Sequence, residues 1–237
     1  MAKIVVIPGH FGDYGTTNHF TPGYNEEVIT KRIADELVAL ARSWGHSVYL
    51  SKQFSAAQEL VQKVKPDVVV EIHINSTKVN PGCAARGVQV YVASGNRQAY
   101  ILGSFLLDSI TKETGFQRAE PRKVIPVSSG RAYSCIKYYK NFPHALTENG
   151  FICNKYDEEM LRKPQVIKGI ARGHLVGIHR YLGLPVPLPP PPIPSTTFGN
   201  LLLLSAIGAM VHPKSRAFIF AKSEKVYLKV REYLQRR

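Results

Sequence analysis

The sequence predicts an α/β protein: a mainly parallel, twisted sheet flanked by helices, followed by a proline-rich linker and a small C-terminal segment. Three observations carry that expectation. The run Asp67-Val68-Val69-Val70-Glu71-Ile72-His73-Ile74-Asn75 is apolar and β-branched, introduced by Lys65-Pro66 and closed by Asn75-Ser76, as a strand covered on both faces would be. Ile29, Ile33, Leu37, Leu40 and Trp44 recur at intervals of three or four, forming one apolar stripe of a helix. Strand-like and helix-like segments then alternate along the chain, the pattern of right-handed βαβ crossovers.

Taken in order, Lys3 to Ile7 reads as a first strand, ended by Pro8-Gly9 with His10 immediately after. A glycine-bearing loop leads to Asn25-Glu26-Glu27, and the helical stripe runs from about Glu27 until Gly45 stops it. Ser47 to Leu50 is a second strand, Ser55 to Val64 a second helix, and Pro66 breaks that helix before the His73 strand. A strand from Gly87 to Ala93 and a helix from Asn96 to Thr114 follow. Residues 115 to 133 read as a long polar loop, of a length more often functional than decorative. His144 to Thr147 is a short strand with Glu148 at its end, and a closing helix runs from about Pro164 to Tyr181, stopped by Gly183.

These elements define a first domain over residues 1 to 183. Seven prolines among residues 185 to 194 predict a semi-rigid spacer, with 184 to 194 as linker. Residues 195 to 237 then form a small basic piece, with too little chain for much core of its own, so dimerisation or docking on a partner is expected of it.

Charge and cysteine content narrow the classes. A net charge of +14 on 237 residues predicts attraction to a polyanion. The N-terminal apolar run is only four residues long before Pro8, neither a signal peptide nor a membrane span, so synthesis in the cytoplasm is expected. Leu201 to Val211 is likewise too short to cross a bilayer. Cys83, Cys135 and Cys153 are odd in number and widely spaced, which argues against both a disulfide framework and a zinc knuckle.

Four polar groups fall where open α/β sheets build their sites, at strand ends and before helices: His10, Glu26, His73 and Glu148. Two histidines and a glutamate can hold a catalytic zinc with one position left for water, and a further carboxylate can take that water's proton. The remaining histidines read as structural. His174 lies on an apolar helical stripe, while His19, His46, His179 and His212 show no ligand spacing; His144 shares a face with Glu148.

Pro8-Gly9-His10, Asn25-Glu26, Ile72-His73-Ile74-Asn75 and Phe142-Pro143-His144-Ala145-Leu146-Thr147-Glu148-Asn149-Gly150-Phe151-Ile152-Cys153-Asn154 resemble, in order, the signature segments of the zinc-dependent N-acetylmuramoyl-L-alanine amidases of the Amidase_3 type. The last segment is the most specific, since it fixes many positions at once. Ile7 and Phe11 depart from the pattern, where many members carry Asp and Gly. The resemblance implies one zinc ion bound by His10, Glu26 and His73, with Glu148 as the catalytic carboxylate. Of the adjacent acids, Glu26 sits three residues before Ile29, as the family's ligand does, and Glu27 becomes an ordinary first-turn acid. Asn75 and Asn154 are candidates to orient ligands or substrate.

The implied substrate is peptidoglycan, cut between N-acetylmuramic acid and L-alanine, with anionic wall polymers as further partners and wall binding or homodimerisation as the expected task of residues 195 to 237. A bacteriophage endolysin, released to the wall after synthesis, fits these features, with a sporulation autolysin as the alternative. Another zinc peptidase of the stem peptide is the nearest rival function. A nucleic-acid-binding protein is disfavoured, because the basic residues are scattered and no nucleic-acid motif appears.

Overall fold

The computed structural model describes residues 1–187, apart from 14, 18–19, 52–53, 78–79 and 129–133. The predicted spacer beyond Pro187 and the basic C-terminal piece lie outside the described residues, which belong to one compact unit, Met1–Pro187. Its elements are β1 (Lys3–Pro8), α1 (Glu26–Ser43), β2 (Ser47–Leu50), α2 (Phe54–Val64), β3 (Val68–Asn75), β4 (Val88–Ala93), α3 (Arg97–Thr114), β5 (Ile125–Val127), α4 (Ser134–Tyr138), β6 (His144–Phe151), α5 (Lys155–Leu161) and α6 (Pro164–Leu182). Among the described residues, no helix is long and apolar enough to cross a membrane.

The six strands form one sheet in the order β2-β1-β3-β6-β4-β5. The β1–β2, β1–β3, β3–β6 and β4–β5 pairs are parallel, and only β4 runs antiparallel to β6. The expected mainly parallel α/β architecture is therefore present. Helices start and stop where local chemistry dictates. Asn25 caps α1 by accepting from Val28 N–H (3.0 Å), and Asn96 caps α3 by accepting from Ala99 N–H (2.9 Å). Gly115 ends α3 with φ +74° and Gly183 ends α6 with φ +65°, the left-handed turn that glycine adopts without strain.

Alternation along the strands decides which face each side chain meets. Val68, Val70, Ile72 and Ile74 of β3 join Ile4 and Val6 of β1 and Val88, Val90 and Val92 of β4 in the main core under α1, α3 and α6. The opposite face is covered in two patches: Val5, Ile7 and Val69 pack with Ala57 and Val61 of α2, and Tyr91 and Leu146 pack with Ile136 of α4. Glu71, His73 and Asn75 share that second face. At full burial each such Val or Ile contributes roughly 1.5–3 kcal/mol over exposure, so this pattern fixes the register firmly.

Helices α3 and α6 meet at backbone distance. A Cβ on Gly173 would lie 2.5 Å from Ile110 Cα, and one on Gly177 would lie 2.9 Å from Leu106 Cα. Together with Gly169 these glycines, four residues apart, give α6 the smooth face that lets α3 approach.

Three sequence expectations are corrected. The strand carrying Glu148 is eight residues long rather than four, so Glu148 lies inside it. Pairing with β3 on one side and β4 on the other holds the chain extended through Phe151. Residues 115–133 are not all loop: they include β5 and an isolated bridge between Val88 and Arg118. Cys83 and Cys153, 70 residues apart, form a disulfide with Cα atoms 5.4 Å apart. The reason is that the β3–β4 connection folds back over the end of β6, where the N–H groups of Gly82 and Cys83 both donate to the Cys153 carbonyl (2.8 and 3.1 Å).

Two predictions follow from packing and burial. Gly173→Ala forces α3 away from α6; despite alanine's better helix propensity it should destabilise the protein by about 1–3 kcal/mol in urea unfolding. His174 is fully buried, donates Nδ1–H to the Ile170 carbonyl (2.8 Å) and accepts from the Thr147 hydroxyl at Nε2 (2.9 Å). Burial pushes its pKa down to about 4, whereas the unfolded chain takes up that proton near the ordinary value of 6.5. Stability attributable to the neutral ring is thus lost as pH falls from 6.5 to about 4, by up to about 3 kcal/mol. His174→Gln should narrow its stability deficit against the wild type across that window, and parallel curves would exclude His174 as the titrating group.

Candidate metal centre

The site assembles at the carboxyl ends of β1 and β3, beside the middle of β6. Strand β1 hands over to Gly9, whose N–H donates to the Ile72 carbonyl (2.8 Å). His10 follows with φ 57°, a left-handed turn that directs the chain into the loop before α1. Gly9 must be glycine because of a close approach: a Cβ there would lie 2.4 Å from His73 Cε1. Gly15 makes a second such contact, since its Cβ would lie 2.6 Å from His10 Cγ and 2.7 Å from Glu26 Oε2. Two glycines thus leave just enough room for the side chains of His10, Glu26 and His73.

Glu26 is the first residue of α1, where a carboxylate is favoured by the helix dipole, yet its side chain is almost fully buried. Oε1 accepts from Ile74 N–H (3.0 Å) and faces His73 Nδ1 at 3.0 Å. Oε2 accepts from Thr16 N–H (3.0 Å) and lies 3.5 Å from His10 Nε2. Glu27, one residue on, accepts instead from Gly12 N–H (2.8 Å) and steadies the loop. One ligand atom each of His10, Glu26 and His73 all lie within 4.8 Å of one another. Of the two adjacent acids, Glu26 is the one in this group.

Strand register supplies the fourth member. His73 of β3 stands directly opposite Glu148 of β6, and Glu148 stands opposite Gln89 of β4. Adjacent strands lie roughly 4.8 Å apart, so the imidazole and the carboxyl are neighbours on one face. An open cleft of about 310 Å³ is lined by His10, Glu26, Glu71, His73, Asn75 and Glu148. A larger hollow of about 470 Å³, lined by Ala93, Ser94, Lys137 and Lys140, sits at the far end of β4 and contains none of the donor group.

The charges around His73 divide sharply. Burial drives the Glu26 carboxyl upward, but the hydrogen bond from His73 and the charges of His73 and His10 outweigh it and hold the pKa below the usual value. Burial likewise drives Glu71 upward, and hydrogen bonds from His144 and His73 bring it down to about 2. Burial alone would lower His73, yet its bonds to Glu26 and Glu71 raise it well above 6.5. Glu148 goes the other way. Burial, reinforced by the negative charges of Glu26 and Glu71 and only partly offset by His73, pushes it up to about 8.

These residues fit a divalent cation. Two imidazoles and one carboxylate are a donor set for zinc, and one ligand atom of each lies close enough to the others for a single ion to reach all three. Glu148 Oε2 is buried with no hydrogen-bond partner among the described residues, an acceptor suited to a water on the open side of that group.

The structure also sorts the other candidates. Asn75 donates to Gln89 Oε1 (2.8 Å), which the Tyr91 hydroxyl also reaches (2.8 Å), so it joins the cleft wall. Asn154 instead caps α5 and donates to the Cys83 carbonyl (2.9 Å). His46 and His179 bond each other at 2.7 Å, a partnership that sequence spacing had not indicated. His144 is buried and bonds Glu71 Oε2 (3.2 Å). Glu71 itself was missed by sequence reasoning. Its signal was a carboxylate inside an apolar strand, two residues from His73 and so on the same face.

The fold and donor set define a protein with a candidate mononuclear metal centre, and comparison with known proteins supplies the family. Residues 4–180 match the Amidase_3 model, N-acetylmuramoyl-L-alanine amidase, and the chain belongs to this family. It is 29% identical over 162 residues to the probable cell wall amidase LytH of Staphylococcus saprophyticus, covering 67% of this chain and 50% of that protein. It is 28% identical over 200 residues to the endolysin of Bacillus phage SPP1, covering 78% of this chain and 68% of that protein. The chain thus spans half the length of LytH. Its fold is similar to the CwlD amidase of Clostridioides difficile, solved in complex with the GerS lipoprotein, with a TM-score of 0.67 at 20% identity over 77% of this chain and 99% of that one.

Gly9→Ala should leave the sheet intact while displacing the His73 ring. Affinity for divalent zinc, measured by chelator competition, is expected to fall about 10–100-fold, with the far-ultraviolet circular dichroism unchanged; unchanged affinity would show that the ring does not need this clearance.

Proposed function

We propose that this chain hydrolyses the amide between the lactyl group of N-acetylmuramic acid and the first L-alanine of the peptidoglycan stem peptide, with zinc as cofactor. The observation that carries the reading is the row formed by His73 and Glu148, a buried carboxyl oxygen without a hydrogen-bond partner among the described residues, beside the group of His10, Glu26 and His73. Family membership supports the bond specificity.

His10, Glu26 and His73 would hold the zinc. Once bound there, the ion supplies Lewis acidity, polarising the scissile carbonyl and making water a better acid. Glu148 accepts the proton of the attacking water and returns it to the departing L-alanine nitrogen. A carboxyl whose pKa is pushed up to about 8 suits a group that must take and release a proton near neutrality. Glu26 and Thr16 N–H fix one side of the site, while Asn75, held by its bond to Gln89, lines the cleft as a polar group able to orient the glycan or peptide.

We read the biological role as that of a phage endolysin acting on the bacterial wall after release. Similarity to the SPP1 endolysin supports this, and the net charge of +14 suits walls rich in anionic polymers. Of that charge, +6 lies in residues 184–237, with eight Lys/Arg against two Glu, consistent with a wall-binding tail.

Digested peptidoglycan should show new L-alanine amino termini without new reducing sugar ends. Amino termini from other stem positions would make the enzyme a peptidase instead. Glu148→Gln should retain about one zinc per chain and lose activity roughly 10²–10⁴-fold. Full wall-lytic activity in that variant would remove Glu148 from the reaction.

A further inference from the structure

Each imidazole of the donor group turns one nitrogen toward Glu26 and the other toward a second carboxylate. His10 Nδ1 meets Asp13 Oδ1 at 2.8 Å, and His73 Nε2 meets Glu71 Oε1 at 3.2 Å. The two outer carboxylates differ in setting. The Asp13 side chain is 68% exposed, whereas that of Glu71 is 5% exposed. A buried carboxylate is costly unless both oxygens are bonded. Here Oε2 of Glu71 accepts from Nε2 of His144 (3.2 Å), itself buried, with its ring tilted against Tyr139 at a centroid distance of 4.8 Å. Among the described residues His144 Nδ1 has no hydrogen-bond partner, so the ring's polar contact in the structure is the one to Glu71. The chain satisfies a buried acid on β3 with a second buried histidine on β6.

From this geometry we propose that Glu71 is a positioning residue for His73, and that His144 acts through Glu71 to hold it in place. The proposal rests on the reading of His10, Glu26 and His73 as zinc ligands. An ionised carboxylate only accepts, so the nitrogens facing Glu71 carry hydrogens: Nε2–H of His73 and Nε2–H of His144. A hydrogen held on Nε2 by Glu71 leaves Nδ1, the nitrogen facing Glu26, as the one that would give up its own hydrogen to a metal, and the same bond sets the plane of the ring. Hydrogen bonds of this kind to a liganding histidine orient it and raise its basicity as a donor. His144 stops Glu71 from rotating away, because losing that bond would strand a buried oxygen.

The test uses the full chain, with zinc affinity read by chelator competition and ligand geometry read from the visible spectrum of the cobalt-substituted protein. Glu71→Gln keeps the side-chain shape, but an amide presents one acceptor and turns its donor toward one of the two imidazoles. It should bind zinc about 10–100-fold more weakly than the wild type and shift the cobalt bands. His144→Phe should show a smaller loss, and the Glu71→Gln/His144→Phe double variant should be no worse than Glu71→Gln alone, the non-additivity expected of residues acting in series. Glu71→Asp, which keeps the charge, should recover part of the affinity. If Glu71→Gln binds zinc within threefold of the wild type with an unchanged cobalt spectrum, the proposal is overturned; should Glu71→Gln fail to fold, wild-type affinity and spectra in both Glu71→Asp and His144→Phe overturn it equally. His73→Ala separates the two layers of the argument. Loss of zinc in His73→Ala alongside normal binding in Glu71→Gln rejects only the positioning role, whereas undiminished zinc binding in His73→Ala rejects the ligand assignment itself.

Discussion

The buried carboxylate of Glu26 is the constraint on which the rest of the site depends. Its two oxygens reach a backbone N–H on β3, a backbone N–H in the loop after β1, and both donor imidazoles. An ionised carboxylate removed from water is tolerable only when its lone pairs are filled, so the first helix, the β1 loop and the central strand must arrive together. The glycines at 9 and 15 are the steric counterpart of that demand, since either Cβ would collide with the side chains gathered there.

Around this anchor, three buried acids, Glu26 at the start of α1, Glu71 on β3 and Glu148 on β6, stand in different electrical states. Glu26 and Glu71 are held ionised by imidazole hydrogen bonds, and their combined charge helps keep the Glu148 proton in place. Environments that push neighbouring carboxyls apart in pKa suit them to separate tasks: two are bonded to the histidines, and the third holds its proton to a higher pH. The division depends on strand register, because His73 and Glu148 face each other while Glu71 stands opposite Leu146.

The same register explains the folding logic outside the site. Alternation along β3 sends Val68, Val70, Ile72 and Ile74 into the main core and leaves Glu71, His73 and Asn75 on the other face. Helices α2 and α4 cover that face only in patches, and the cleft lies against the uncovered polar strip. The larger helical layer is closed by the glycine face of α6 against α3, which draws the long helices close enough to seal the core.

Periodicity made much of the fold legible in the sequence: the stripe of Ile29, Ile33 and Leu37 and the β-branched run of β3 are local signals. His10, Glu26 and His73 were legible because strand ends and helix starts in a parallel sheet lie on one edge. The extent of β6, the pairing of Cys83 with Cys153, and the bond between His46 and His179 were not, since each depends on segments that meet only after the chain has folded back. Glu71 shows where the division falls. The sequence by itself determined that a carboxylate shares a strand face with His73, because side chains alternate with a period of two. Only the tertiary structure decided that it is bonded at both oxygens, to His73 on its own strand and to His144 on β6, because burial and long-range register, not local pattern, select the partners of a charge taken out of water.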